Sequence, residues 1–143
     1  MGTSTVYRCR TVKQPPLILV IDDEFDQVRL ISSFLKECGY PVLTGMDGSQ
    51  AVQLALKHKP DLLIMDVNMP LTNGVNALNF LRENQQTAII PIILLTGQNS
   101  AVMVPIIERY PRTAYLKKPV DLDSLGQKVA EMLHRYGASS EKE

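Results

Sequence analysis

Several chemically capable side chains stand just beyond apolar runs. Asp22 and Asp23 follow LILVI (17–21), Asp66 follows LLIM (62–65), Thr96 follows IIPIILL (89–95), and Lys117-Lys118-Pro119 follow Tyr115-Leu116. A carboxylate at the end of a buried strand is costly unless its charge is paired or used. Two carboxylates about 5 Å apart repel by roughly 3 kcal/mol at an effective dielectric near 20. Three in one pocket raise each other's pKa values unless a cation sits among them. Oxygen donors without His or thiolate select a hard ion, Mg²⁺ above all, and Mg²⁺ readily shares its coordination with phosphate oxygens. The set therefore points to phosphoryl chemistry in which one carboxylate is itself the nucleophile. Lys118 would neutralise one phosphoryl oxygen and Thr96 would donate a hydrogen bond to another. Taken singly, the acids and Thr96 could cap helices and the lysines could be solvated. Capping does not explain acid, acid, hydroxyl and cation falling together at four strand ends.

Those ends belong to an alternating pattern. LILVI reads as a buried strand, followed by a helix with Val28, Ile31, Leu35 and Cys38 at helical spacing, Leu30 and Phe34 widening its face, and Gly39 ending it. A brief strand over 42–44 precedes a helix capped by Ser49, holding Ala51, Val52, Leu54, Ala55 and Leu56, and closed by Pro60. LLIM is the third strand. A helix after Asn73-Gly74 carries Ala77, Leu78, Phe80 and Leu81, and 89–95 is the fourth strand, with Pro91 near its start. Residues 99–110 are expected to be helical and Tyr115-Leu116 a short fifth strand. Asp121 caps a last helix bearing Leu125, Val129, Met132, Leu133 and Tyr136, with His134 and Arg135 suited to its C-terminal dipole. Strands alternating with helices predict an α/β fold with a parallel sheet covered on both faces. In such sheets, functional sites gather outside the carboxyl ends of the strands.

The totals set limits. A chain of 143 residues is one ordinary domain and buries roughly 68–70 % of its unfolded surface. Lys plus Arg equals Asp plus Glu, 15 each, so net charge gives no argument for nucleic acid or an acidic membrane surface. Cys9 and Cys38 are too far apart for a CxxC site; Cys38 is expected in the core. No apolar run approaches a membrane span or a signal peptide, and Val6 stands where a myristoylation signal wants Ser or Thr. A cytoplasmic protein is expected. Residues 1–16 read as a leader or linker, and 137–143 as a disordered tail too short for a DNA-binding or catalytic output domain. His58 and His134 are dipole partners at helix ends, not phosphodonors.

IDDE (21–24), MDVNMP (65–70), LLTG (94–97) and YLKKP (115–119) resemble the receiver domain of two-component response regulators, over about residues 17–136. The resemblance implies a flavodoxin-like (βα)5 three-layer sandwich with strand order 2-1-3-4-5. It implies Mg²⁺-dependent phosphorylation of Asp66 by a histidine kinase or phosphotransfer protein, with only self-catalysed aspartyl phosphorylation and dephosphorylation as enzymatic activity. By position, Asp23 and Asp66 bind Mg²⁺ through their side chains, Asn68 through its backbone carbonyl and Asp22 through water. Thr96 is the switch hydroxyl, Lys118 the family's lysine, joined to Pro119 by a cis bond, and Tyr115 the aromatic that reports phosphorylation. Lys117 is expected to face the other way.

Some residues depart from that pattern. AVMVPII (101–107) is apolar with Pro105 in its middle, and Tyr110-Pro111-Arg112 stands where receivers commonly place a glycine near 111. The first expectation is a shortened or kinked helix whose apolar residues are core. The other is an exposed stretch within 103–107 forming a homodimer or effector patch on the 99–118 surface. Asn68 and Gln98 stand where family members tune phosphate lifetime. Two further functions compete: a pseudo-receiver that only binds partners, and a Mg²⁺-dependent phosphohydrolase. The complete set of site residues argues against the first. Asn68 argues against the second, standing where its general acid would be.

Overall fold

The computed structural model describes residues 15–67, 74–97 and 100–136. The leader up to residue 14, Asn68, Asn73, Gln98 and the 137–143 tail lie outside the described residues. Five strands, β1 (Ile18–Ile21), β2 (Val42–Gly45), β3 (Leu62–Asp66), β4 (Ile92–Thr96) and β5 (Thr113–Lys117), alternate with five helices: α1 (Phe25–Glu37), α2 (Gly48–His58), α3 (Gly74–Glu83), α4 (Ser100–Arg109) and α5 (Leu122–Tyr136). The strands form one parallel sheet in the order β2-β1-β3-β4-β5, a flavodoxin-like arrangement.

Strand periodicity builds two cores. Leu19, Ile21, Leu63, Met65, Ile92 and Leu94 face one side, packed against Ala51 and Ala55 of α2, Leu78 and Leu81 of α3 and Met103 of α4. Ile18, Val20, Leu62, Ile64, Ile93 and Leu95 face the other, against Ile31 and Leu35 of α1 and Leu125 and Val129 of α5. Burial on both faces explains why these strands read as unbroken apolar runs rather than alternating ones. The register pairs Ile21 with Met65, Asp66 with Leu95 and Thr96 with Lys117. The polar residues at or after these ends therefore share one edge of the sheet.

Several local expectations shift. α2 is capped by Asp47, not Ser49: the Asp47 carboxylate accepts from the Gln50 amide at 2.9 Å, and the Gln50 side chain accepts from the Met46 amide at 2.7 Å. Cys38 is exposed rather than core, because the chain leaves the helix there. Gly39 adopts φ 101°, with its amide donating to the Lys36 carbonyl and the Tyr40 amide to the Leu35 carbonyl, which together make a Schellman turn. Leu30 and Phe80 lie on the flanks of their helical stripes and are exposed. β4 begins at Ile92, after Pro91, and Ile89 is 60 % exposed. α4 is a continuous run of ten residues that passes through Pro105. Its apolar stretch divides: Met103 is buried, Ile106 and Ile107 are half-buried against the core, and Val104 and Pro105 are exposed. Asp121 caps α5 as expected, accepting from the Ser124 amide at 3.0 Å. None of the described helices is long and apolar enough to cross a membrane.

Where the strands begin, the sheet is fastened by a residue with no sequence signature. The Arg82 guanidinium donates to the carbonyls of Ala88 at 2.9 Å, Ile90 at 2.6 Å and Arg112 at 2.8 Å, and to the Thr113 hydroxyl at 2.9 Å. Burial, and then the nearby Arg112 charge, lower its pKa to about 10, so it remains cationic at neutral pH. Arg112 itself takes the left-handed conformation, φ 61°, where the family's glycine is expected.

Two substitutions test this framework by chemical denaturation. Gly39→Ala meets no atom within 4 Å, so its cost is conformational, about 1 kcal/mol. Arg82→Met strands the part-buried carbonyls of Ala88, Ile90 and Arg112 and is expected to cost about 3 kcal/mol, a fall in Tm of roughly 10 °C.

Candidate functional site

Asp22 is the first residue after β1 and has no exposed surface; Asp66, the last of β3, is 2 % exposed, and Thr96, the last of β4, is buried. Asp23 is exposed. Lys118 is the first residue after β5, its side chain 25 % exposed. Carboxylate oxygens of Asp22, Asp23 and Asp66 all lie within 4.8 Å of one another. The Lys118 ammonium donates to Asp66 Oδ2 at 3.0 Å and lies 3.4 Å from Asp22 Oδ2. Two adjacent carboxylates and a third from a remote strand end thus meet in one pocket, and Lys118 from another strand end supplies its cation.

Backbone contacts hold these groups rigidly. The Glu24 amide donates to Asp22 Oδ1 at 3.0 Å, and the Asp22 amide to the Gly45 carbonyl at 3.3 Å. The Lys118 amide donates to the Thr96 carbonyl at 2.8 Å, locking the fifth strand end to the fourth. The Lys118–Pro119 bond is cis. Lys117 is exposed, as strand alternation requires. Tyr115 is half-buried in β5, paired with Leu94.

Electrostatically the pocket is incomplete. Among the described residues, three clustered carboxylates face one ammonium, a surplus of two negative charges (three minus one). Among the described residues Asp22 Oδ2 has no hydrogen-bond partner; its approach to Lys118 is an ion-pair distance without hydrogen-bond alignment. Burial pushes the Asp22 carboxyl up to about 6 and the Asp66 charge adds to this, while the Glu24 amide and Lys118 oppose it. Desolvation alone would lower the Lys118 pKa, but the hydrogen bond to Asp66 and the charge of Asp22 overcome it and hold the ammonium protonated. An all-oxygen donor set with an unsatisfied buried oxygen and a surplus of two charges fits a hard divalent cation. Asn68, the expected carbonyl ligand, lies outside the described residues.

Sequence reasoning gave Asp22 a water-mediated part. It did not see the direct pairing with Lys118, nor the Glu24 amide and Gly45 carbonyl that hold Asp22 in place. Apart from the amide that proline lacks, backbone donors and acceptors are the same in every residue and leave no mark in side-chain identity.

Fold and pocket define a class, and comparison with known proteins narrows it. A family model for the response regulator receiver domain matches residues 18–130. Protein PilH of Pseudomonas aeruginosa is 32 % identical over 116 residues, 81 % of this chain and 96 % of PilH. The alkaline phosphatase synthesis transcriptional regulatory protein PhoP of Bacillus subtilis is 33 % identical over 118 residues, 82 % of this chain but 48 % of PhoP, so the chain spans about half of that relative. The structure of the chemotaxis response regulator CheY4 of Vibrio cholerae matches with a TM-score of 0.77 at 29 % identity, covering 84 % of this chain and 100 % of that one. The chain belongs to the response regulator receiver domain family, the signalling modules of two-component systems.

The raised Asp22 carboxyl gives a signed expectation. Its folded-state pKa, about 6, exceeds its ordinary value of 3.8, so its contribution to stability is fully present below about 3.8 and lost as pH rises through about 6. With divalent cations chelated, urea titrations between pH 4 and 7 are expected to show this loss in the native protein and not in Asp22→Asn.

Proposed function

We propose that this chain is a phosphorylation-controlled switch in which Asp66 accepts a phosphoryl group from a histidine kinase or phosphotransfer protein. The observation that carries the reading is the placing of Asp66. It ends the central strand of the sheet, almost wholly buried, 3.0 Å from the Lys118 ammonium and within 4.8 Å of two further carboxylates. An Asp66 carboxylate oxygen attacks phosphorus; the new P–O bond forms as the P–N bond to the donor imidazole breaks, and its electron pair leaves with that nitrogen. Asp23 and Asp66 would hold Mg²⁺ with the Asn68 carbonyl, and Asp22 would support it through water. When bound, Mg²⁺ supplies charge neutralisation to the phosphoryl oxygens. Lys118 stabilises the charge that accumulates as the group arrives and Thr96 hydrogen-bonds one of its oxygens. As Thr96 and Lys118 follow those oxygens, Tyr115 rotates inward, and the surface built by α4 and β5 changes with it.

The receiver unit is taken as residues 17–136, acting in the cytoplasm with the phosphorylated partner. Val104 and Pro105, exposed side by side on α4, make the 99–118 surface the reading's site for an effector or a second copy. Self-catalysed aspartyl chemistry is the only enzymatic step in this reading.

Incubation with Mg²⁺ and acetyl phosphate is expected to give one acid-stable, base-labile phosphoryl adduct by intact mass. Asp66→Asn should give none, and Asp23→Ala or added EDTA should reduce it at least tenfold. An adduct of equal yield in Asp66→Asn would overturn the choice of nucleophile.

A further inference from the structure

α4 carries three features that the phosphoacceptor chemistry does not use. Pro105 lies inside the helix and is exposed. Having no N–H, it cannot give the bond that a residue in this place donates to the carbonyl four positions back, and its ring crowds that carbonyl. Beyond the helix end, the Tyr110 hydroxyl donates to the Asn79 side-chain carbonyl on α3. The Tyr110 ring packs against the main core with Ile106 and Ile107, its amide donates to the Ile107 carbonyl at 3.3 Å, and the Arg109 guanidinium lies 5.4 Å from the ring centre.

The two halves of the helix are thus held differently. Residues 106–110 are fastened to α3 and the core by packing and by a side-chain bond spanning 31 positions of sequence. Residues 100–104 begin four positions after Thr96 and join the fastened half across Pro105, where the bond that residue 105 would give to the carbonyl of residue 101 is missing while the helix itself continues. Met103, buried within that first half, is unbranched with three rotatable bonds, so it can keep its core contacts while the backbone above it moves.

We propose that α4 is a jointed helix: Tyr110 and Asn79 pin its C-terminal half to α3, and its N-terminal half swings about Pro105 when the pocket is charged. The tether confines the response to residues 100–104 and to the exposed Val104-Pro105 step, instead of shifting the helix as one rod. The trigger for the swing rests on Asp66 being the phosphoacceptor; the joint itself does not.

Residue-resolved amide hydrogen exchange tests the two separately. In the unmodified protein, Tyr110→Phe deletes only the hydroxyl and is expected to speed exchange at 106–110 about tenfold, the effect of one hydrogen bond, while 103 and 104 stay unchanged. Asn79→Ala should reproduce that pattern. In the double variant Tyr110→Phe, Pro105→Ala, the restored backbone bond should spread the effect across the joint to 103 and 104. With Mg²⁺ and beryllofluoride, the native protein should change at 103 and 104 and not at 106–110. Equal changes on both sides of residue 105, or none in Tyr110→Phe, would overturn the joint. Failure of beryllofluoride to bind would count against the phosphoacceptor reading alone, since the unmodified-protein comparison still decides the joint.

Discussion

A surplus of two negative charges at one edge of a sheet is the condition to which the rest of the molecule is fitted. Asp22, Asp23 and Asp66 would separate if they could, because each pair repels by a few kcal/mol at these distances. They cannot separate, because β1 and β3 are adjacent, in register and buried on both faces. The hydrophobic effect acting along the strands holds together what electrostatics would drive apart. A single lysine from the far strand relieves part of the repulsion and leaves a remainder whose charge and oxygen donors fit a hard divalent cation.

Helices reinforce that arrangement from the two faces of the sheet. α1 and α5 close one face of the sheet and α2, α3 and α4 the other, so the strand ends project from a rigid slab. α1 leaves β1 only after Asp22 and Asp23, and its N-terminal turn is not capped by either; Asp22 instead accepts from the Glu24 amide within the connection. Asp22 and Asp23 are thus spared the capping duty that aspartates perform at positions 47 and 121. That separation of roles leaves them available for a ligand.

Much of this was legible from residue types. Apolar runs fixed on both sides by burial marked β1, β3 and β4, and the residue beyond each run identified the pocket, since a polar residue there must leave the core. Helix rotation was less legible. A stripe through Val28, Ile31 and Leu35 is correct, but periodicity alone does not say whether Leu30 on its flank is covered or, as found, exposed. Cys38 continued the spacing only on paper, because the left-handed turn at Gly39 takes the chain off the helix. Asp47 and Ser49 were both eligible caps; the extended backbone at Asp47 decided between them. Arg82 gave no signal at all, for its partners are carbonyls of a loop and a strand start that only the fold brings together.

The Arg82 cluster has a consequence for how the protein answers its solvent. Its acceptors are neutral, so added electrolyte has no ion pair there to screen, and no acceptor gains a proton in mild acid. The opposite pole carries carboxylates in excess of its one ammonium, so salt screens and acid removes a charge surplus there, easing repulsion while changing what the pocket can attract. Brine or acidification would accordingly alter one end of the three-layer stack while the other stays fastened, making a change in the pocket's charge separable from loss of the folded state.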